Sequence, residues 1–202
     1  MKIEKNFIVI EGLDGSGTST QVKLLAENIP NSFMTYEPTD NEIGRIIRKI
    51  LRKEISINYI TLAYLFAADR AEHLYGKNGI IEKCSEGKIV ICDRYLFSSL
   101  AYQSLNMDFE KVFELNKDFV LPRFVIFLNT SVYECMKRIQ KRTNDREIFE
   151  EEGIQRQILE NYRKTFNFLK DYGLNYYEIN GDKGIKEILD MELDILKKEN
   201  IL

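Results

Sequence analysis

The stretch from Phe7 to Leu25, FIVIEGLDGSGTSTQVKLL, constrains the fold more than any other part of the chain. Its first residues form an apolar run that reads as a strand. Glycines at 12, 15 and 17 read as a tight loop, and the residues from about Thr18 read as a helix. Four further segments look like buried strands: SFMTYE (32–37), KIVICD (88–93), RFVIFLN (123–129) and NYYEIN (175–180). Several are apolar throughout, as expected of strands covered on both faces. Longer stretches with helical spacing lie between them, and two of these, 41–51 and 58–87, separate the second strand from the third. Pro122 is expected in the loop just before the fourth strand. The alternation predicts an α/β fold in three layers, a five-stranded parallel sheet with helices on both sides. No linker or repeat interrupts it, so residues 1–202 are expected to form one domain.

The bulk properties exclude several function classes. The chain carries 29 basic and 32 acidic residues, a net charge of −3, which argues against general nucleic-acid binding. No apolar run approaches a membrane span, and the start has no signal-peptide core. Cys84, Cys92 and Cys135 are scattered and odd in number, which reads as a reduced, cytoplasmic chain. The one histidine, His73, and the cysteines are assigned to structure.

The loop Gly12-Leu13-Asp14-Gly15-Ser16-Gly17-Thr18-Ser19 matches the phosphate-binding pattern G-x-x-x-x-G-K-[ST] except at Thr18, where the pattern has lysine, and Thr20 follows as a further candidate phosphate contact. Glycines let several N–H groups face one point, and the following helix adds its positive end. Ser19 can place a hydroxyl on a magnesium ion that bridges phosphates. The missing lysine removes a charge-assisted contact of about 1.5–3 kcal/mol. The competing reading is a glycine-rich turn that only joins strand to helix. Asp93 and Arg94 follow the strand KIVIC at its carboxyl end, where open α/β sheets bind ligands. Arg94 offers a fork of donors suited to a phosphate, and Asp93 can hold magnesium through water; the alternative is an ion pair that closes the strand. Arg138, Arg142 and Arg146 recur every four residues, in a charged stretch that reads either as a lid at about 138–152 or as a solvated helix face.

Four segments in order, FIVIEGLDGSG, EPTDNEIGRIIRKIL, LFAADRAEH and KIVICDRYLFSSLAYQ, closely resemble the thymidylate kinases, and the resemblance covers nearly the whole chain. It implies a P-loop NTPase-type fold that transfers a phosphoryl group from ATP to dTMP with Mg2+, closes a lid, and works as a homodimer. It further implies that the loop and Arg138 bind ATP, that Asp14 meets the 3′-hydroxyl, and that Phe66 stacks on thymine. Arg70 would reach the base or phosphate. Ser98, Ser99 and Gln103 would line the thymine side, Tyr102 would lie under the deoxyribose, and Glu37 would belong to the same dTMP site. Arg94, Arg142, Arg146 and Asp93 would be catalytic. Departures from the family pattern are Thr18 for lysine, Tyr36 for arginine, Thr39-Asp40-Asn41 for a glycine run, and Asn129 for aspartate. A minority of the family shares the threonine.

Each of these residues also has a plain reading: Asp14 as a loop stabiliser, Phe66 as core, Arg70 as surface, Ser98 and Gln103 as helix packing. Two other functions stay open. One is a kinase for a nucleoside or another nucleotide, with Glu37 as base. The other is a nucleotide-binding protein without catalysis, suggested by Thr18 and Tyr36.

Overall fold

The computed structural model describes residues 1–141 and 147–202. Strands β1 (Ile3–Gly12), β2 (Ser32–Tyr36), β3 (Ile89–Asp93), β4 (Leu121–Asn129) and β5 (Tyr176–Asn180) form one sheet in the order β2-β3-β1-β4-β5, every pair parallel. The five apolar segments of the sequence are these strands. Side chains alternate across a strand, and here both faces are apolar. Phe7 and Val9 enter the core on one side of β1, Ile8 and Ile10 that on the other. Val125 and Phe127 part from Phe124, Ile126 and Leu128 in the same way on β4.

Helices α1 (Thr18–Asn28) and α9 (Ile185–Lys198) cover one face. The other is covered by α2 (Glu42–Leu51), α3 (Tyr59–Tyr75), α4 (Ile80–Ser85), α5 (Leu96–Tyr102), α6 (Phe109–Glu114), α7 (Val132–Gln140) and α8 (Glu152–Leu169). The helical stretch expected at 58–87 is two helices. Gly76 ends α3 with its amide on Glu72 O at 2.8 Å, and Asn78, at φ +59°, turns the chain into α4. Pro122 lies inside β4 rather than before it. It sits ahead of the register shift between Glu4 and Ile8, below the level at which β5 begins to pair at Val125. Proline is tolerated at a strand's start and beside a bulge, because few ladder bonds are lost there.

The segment Thr39-Asp40-Asn41 gains a structural role. Asn41 caps α2 by accepting from the Gly44 amide at 2.9 Å. Thr39 is tied to Asp69 of α3 by two hydrogen bonds, 2.8 Å from its amide and 2.6 Å from its hydroxyl. The start of α2 is thereby fixed against the middle of α3.

Candidate active site

The glycine loop joins β1 to α1 at the carboxyl edge of the sheet. Gly15 and Gly17 have φ of +81° and +102°, a region that side chains with a Cβ rarely adopt. A Cβ on Gly15 would also lie 2.7 Å from Cys135 O. Leu13 is a core residue, so only its backbone belongs to the loop. Thr18 is 5% exposed and opens α1, while Thr20 is exposed. Arg138 of α7 braces the loop from outside, donating to Ser16 O at 2.9 Å and Gly181 O at 3.2 Å, with Glu134 at 3.1 Å on its Nε.

Beside the loop opens a cleft of about 620 Å3. Asp14, Ser19, Glu37, Phe66, Arg70, Asp93, Arg94, Ser98, Ser99, Tyr102 and Gln103 all line it. The residues singled out from four separate parts of the sequence are thus brought to one place. At its loop end the Ser19 hydroxyl donates to Asp93 Oδ2. Asp93 Oδ1 is buried and has no partner among the described residues.

Arg94 follows β3 with φ +68°, an uncommon conformation for a residue other than glycine. That backbone turn sends its guanidinium across the cleft. Nη2 is 2.8 Å from Asp14 Oδ1, while Nη1 faces Ser98 Oγ at 3.3 Å, Tyr102 Oη at 3.0 Å and Tyr162 Oη at 3.4 Å. Behind these hydroxyls lies Glu11, fully buried. Its Oε1 accepts from the Tyr95 and Ser98 amides at 2.8 and 3.2 Å, and its Oε2 from the Ser98 and Tyr162 hydroxyls at 2.7 and 2.8 Å. Burial pushes the Glu11 carboxyl up to about 7, against the pull of Arg94 and these hydrogen bonds.

The far end of the cleft is built on α3. Phe66 and Arg70 share a helix face. Arg70 is not a surface arginine: it is 1% exposed, donates to Glu37 at 2.6 Å, Ser99 at 3.1 Å and Asn116, and leaves its buried Nε without a partner among the described residues. Glu37 is held at its other oxygen by His73 Nδ1 at 3.1 Å, and His73 Nε2 lies 2.6 Å from Thr35 Oγ1. Ser98 proves to be part of the Arg94 network rather than plain helix packing. Gln103 is buried with its Oε1 unpartnered among the described residues.

Several residues at the site carried no signal in the sequence. Gln155 of α8, fully buried, joins Asp14 Oδ2 to Phe149 O, each at 2.9 Å from its Nε2. Arg48 lies over the Tyr36 ring at 5.4 Å and 3.6 Å from Asp40, so a guanidinium stands beside the position where the family pattern has one. Glu147 also lines the cleft, and burial, then Asp14 and Glu150, raise its carboxyl above the usual range. Arg142 and Arg146 lie outside the described residues.

The sequence profile described as thymidylate kinase matches residues 10–191. Among similar proteins, one from Pyrococcus abyssi named a probable thymidylate kinase is 37% identical, with 96% of each chain covered. Another of the same name from Methanococcus aeolicus is 39% identical, covering 95% of this chain and 94% of that protein. The solved thymidylate kinase of Candida albicans superposes with a TM-score of 0.83 at 24% identity, covering 98% of this chain and 93% of that one, a likeness of fold. With a matched profile over most of its length, and with relatives well above a third identical, this chain belongs to the thymidylate kinase family.

Proposed function

We propose that this chain transfers the terminal phosphoryl group of ATP to dTMP, giving dTDP and ADP. The observation that carries this reading is the cleft in which the glycine loop, Arg94 and the Phe66–Arg70 face meet. Phe66 offers a face for a base, Tyr102 lies beneath the Arg94 guanidinium, and Asp14 pairs with that guanidinium in the same cleft. Arg94 grips the dTMP phosphate between itself and the loop, whose amides take the phosphates of ATP. Such a transfer is catalysed by alignment and charge, and needs no base, because a phosphate monoester is already largely dianionic above its second pKa of about 6.

The donor set at the loop suits Mg2+. Asp93 offers an unpartnered buried oxygen beside the Ser19 hydroxyl, and Mg2+ is typically held by one or two protein oxygens plus substrate phosphates. When bound, the ion supplies positive charge to the phosphate oxygens. Thr18 brings none; Arg94 supplies a positive charge in the cleft, and the charge expected from Arg142 and Arg146 falls outside the described residues.

The outer face of α3 supports a homodimer. Ile60, Tyr64, Ala68, Ala71 and Tyr75 fall within about 80° of the helix circumference. Ile60, Tyr64 and Tyr75 are 53%, 56% and 57% exposed, an apolar stripe that a second copy would cover. Among the described residues no helix is long and apolar enough to cross a membrane.

A nucleoside kinase would use Glu37 as base, but both Glu37 oxygens are engaged, by Arg70 and His73. Release of ADP from saturating Mg-ATP with dTMP, dUMP and thymidine tests the reading. Turnover with dTMP and little with thymidine is expected. Binding of dTMP without ADP release would leave a nucleotide-binding protein without catalysis.

A further inference from the structure

Glu11 ends an otherwise apolar run in β1, directly before the loop. A carboxylate there needs a reason, since burying one is costly unless it is well hydrogen-bonded. Its two oxygens face different kinds of donor. Oε1 meets the Tyr95 and Ser98 amides, whose protons are fixed by the backbone. Oε2 meets two hydroxyls, whose protons can rotate.

Oε2, Ser98 Oγ and Tyr162 Oη form a triangle with edges of 2.7, 2.8 and 2.8 Å. Two hydroxyl protons serve it. With a carboxylate at one corner, both protons on the triangle's edges stay away from Arg94; Tyr162 has a second acceptor in Gly12 O at 3.2 Å. The outward lone pairs of both hydroxyls are then left for Arg94, whose Nη1 lies 3.3 and 3.4 Å away. A guanidinium can only donate, so these two hydroxyls add to the hold of Asp14 and Tyr102 on Arg94 only while their protons point away from it.

We propose that Glu11 is a positioning residue for phosphoryl transfer: it sets the hydrogen-bond polarity of Ser98 and Tyr162 so that both accept from Arg94 and hold the guanidinium in place. This role rests on the reading that Arg94 grips the acceptor phosphate. Substituting Glu11→Gln keeps the shape and inverts the polarity. The amide oxygen must face the two fixed backbone N–H groups, so its NH2 enters the triangle. Ser98 and Tyr162 then lose their shared carboxylate acceptor and keep only each other and Gly12 O, so their protons are no longer held away from Arg94.

The test is a cycle of variants at pH 8, above the value of about 7 to which burial raises the Glu11 carboxyl, with dTMP and ATP each varied. Glu11→Gln should lower kcat/KM for dTMP about tenfold or more and leave KM for ATP within about twofold. In a Ser98→Ala/Tyr162→Phe background, the same substitution should change kcat/KM for dTMP by less than about twofold, because the hydroxyls that transmit the effect are gone. A merely structural role for Glu11 would cost as much in that background as in the native one, and this result would overturn the proposal. So would a silent Glu11→Gln variant when Arg94→Ala is strongly impaired. If Arg94→Ala is itself silent, the reading of Arg94 fails first and takes the proposal with it. Should Glu11→Gln not fold, Tyr162→Phe alone still decides: it removes one acceptor of Arg94, and an unchanged kcat/KM for dTMP counts against the relay.

Discussion

Arg70 Nη2 stands 2.6 Å from Glu37 Oε2, with the two side chains 1% and 3% exposed. A pair this deeply buried adds little over apolar packing, but its partners cannot be parted cheaply. Glu37→Ala would strand the guanidinium and also free His73. The expected loss is on the order of 3–5 kcal/mol, read as a lower urea midpoint at unchanged slope. Glu37→Gln keeps an acceptor for Arg70 and should lose less. A loss below about 1 kcal/mol for the alanine variant would mean that solvent reaches the pair.

Ser19 and Asp93 make a different prediction, since they act on the metal. Asp93→Asn keeps an acceptor for the Ser19 hydroxyl and removes the negative charge. The Mg2+ concentration for half-maximal turnover should rise about tenfold or more, with smaller change for Ser19→Ala. Binding of dTMP measured without metal should stay as it was. An unchanged Mg2+ activation curve in Asp93→Asn would remove that residue from the metal site.

What the sequence made legible was whatever is local. The strands announce themselves because both sheet faces are buried, so Phe7–Ile10 and Phe124–Leu128 are apolar throughout. Asp93 and Arg94 are readable because they end a strand at the edge where ligands bind. Gln155 and Tyr162 were not readable: they meet Asp14 and Glu11 from 141 and 151 residues away, and nothing local marks those contacts. Spacing placed Phe66 and Arg70 on one face but could not say that Arg70 is buried, because its partners Glu37, Ser99 and Asn116 come from three other segments. Glu11 did leave a signal, a carboxylate at the end of an apolar run, whose burial requires partners.

The outer stripe of α3 yields a prediction about assembly. Phe66 and Arg70 lie on the opposite side of that helix from Tyr64, so a partner seated on the stripe would steady the helix that lines the cleft. Tyr64→Glu puts a charge in the middle of the stripe. Sedimentation should show the native chain near twice its 23.8 kDa mass and the variant as a monomer. A native chain that sediments as a monomer at micromolar concentration would refute the assembly.

Glu192 of α9 sets how stability varies with pH. It is 0% exposed, both its oxygens lack partners among the described residues, and Ile188 and Leu196 flank it one turn away on the buried face. Burial alone pushes its carboxyl from 4.5 up to about 8. The folded chain therefore keeps the proton up to about pH 8, whereas the unfolded chain loses it near 4.5. Between those values the unfolded state binds fewer protons, so stability is greatest at the acid end of the window. It declines as pH rises, by about 1.4 kcal/mol per pH unit for this one group. Glu11, raised to about 7, adds a slope of the same sign that ends lower. The substitution Glu192→Leu should raise Tm at pH 8, change it little near pH 5, and leave the part of the slope due to Glu11, Glu147 and the surface groups. Parallel curves of Tm against pH for the native chain and the Glu192→Leu variant would show that the carboxyl finds water in the folded state, since only a group with different proton affinity in the two states can contribute to the slope.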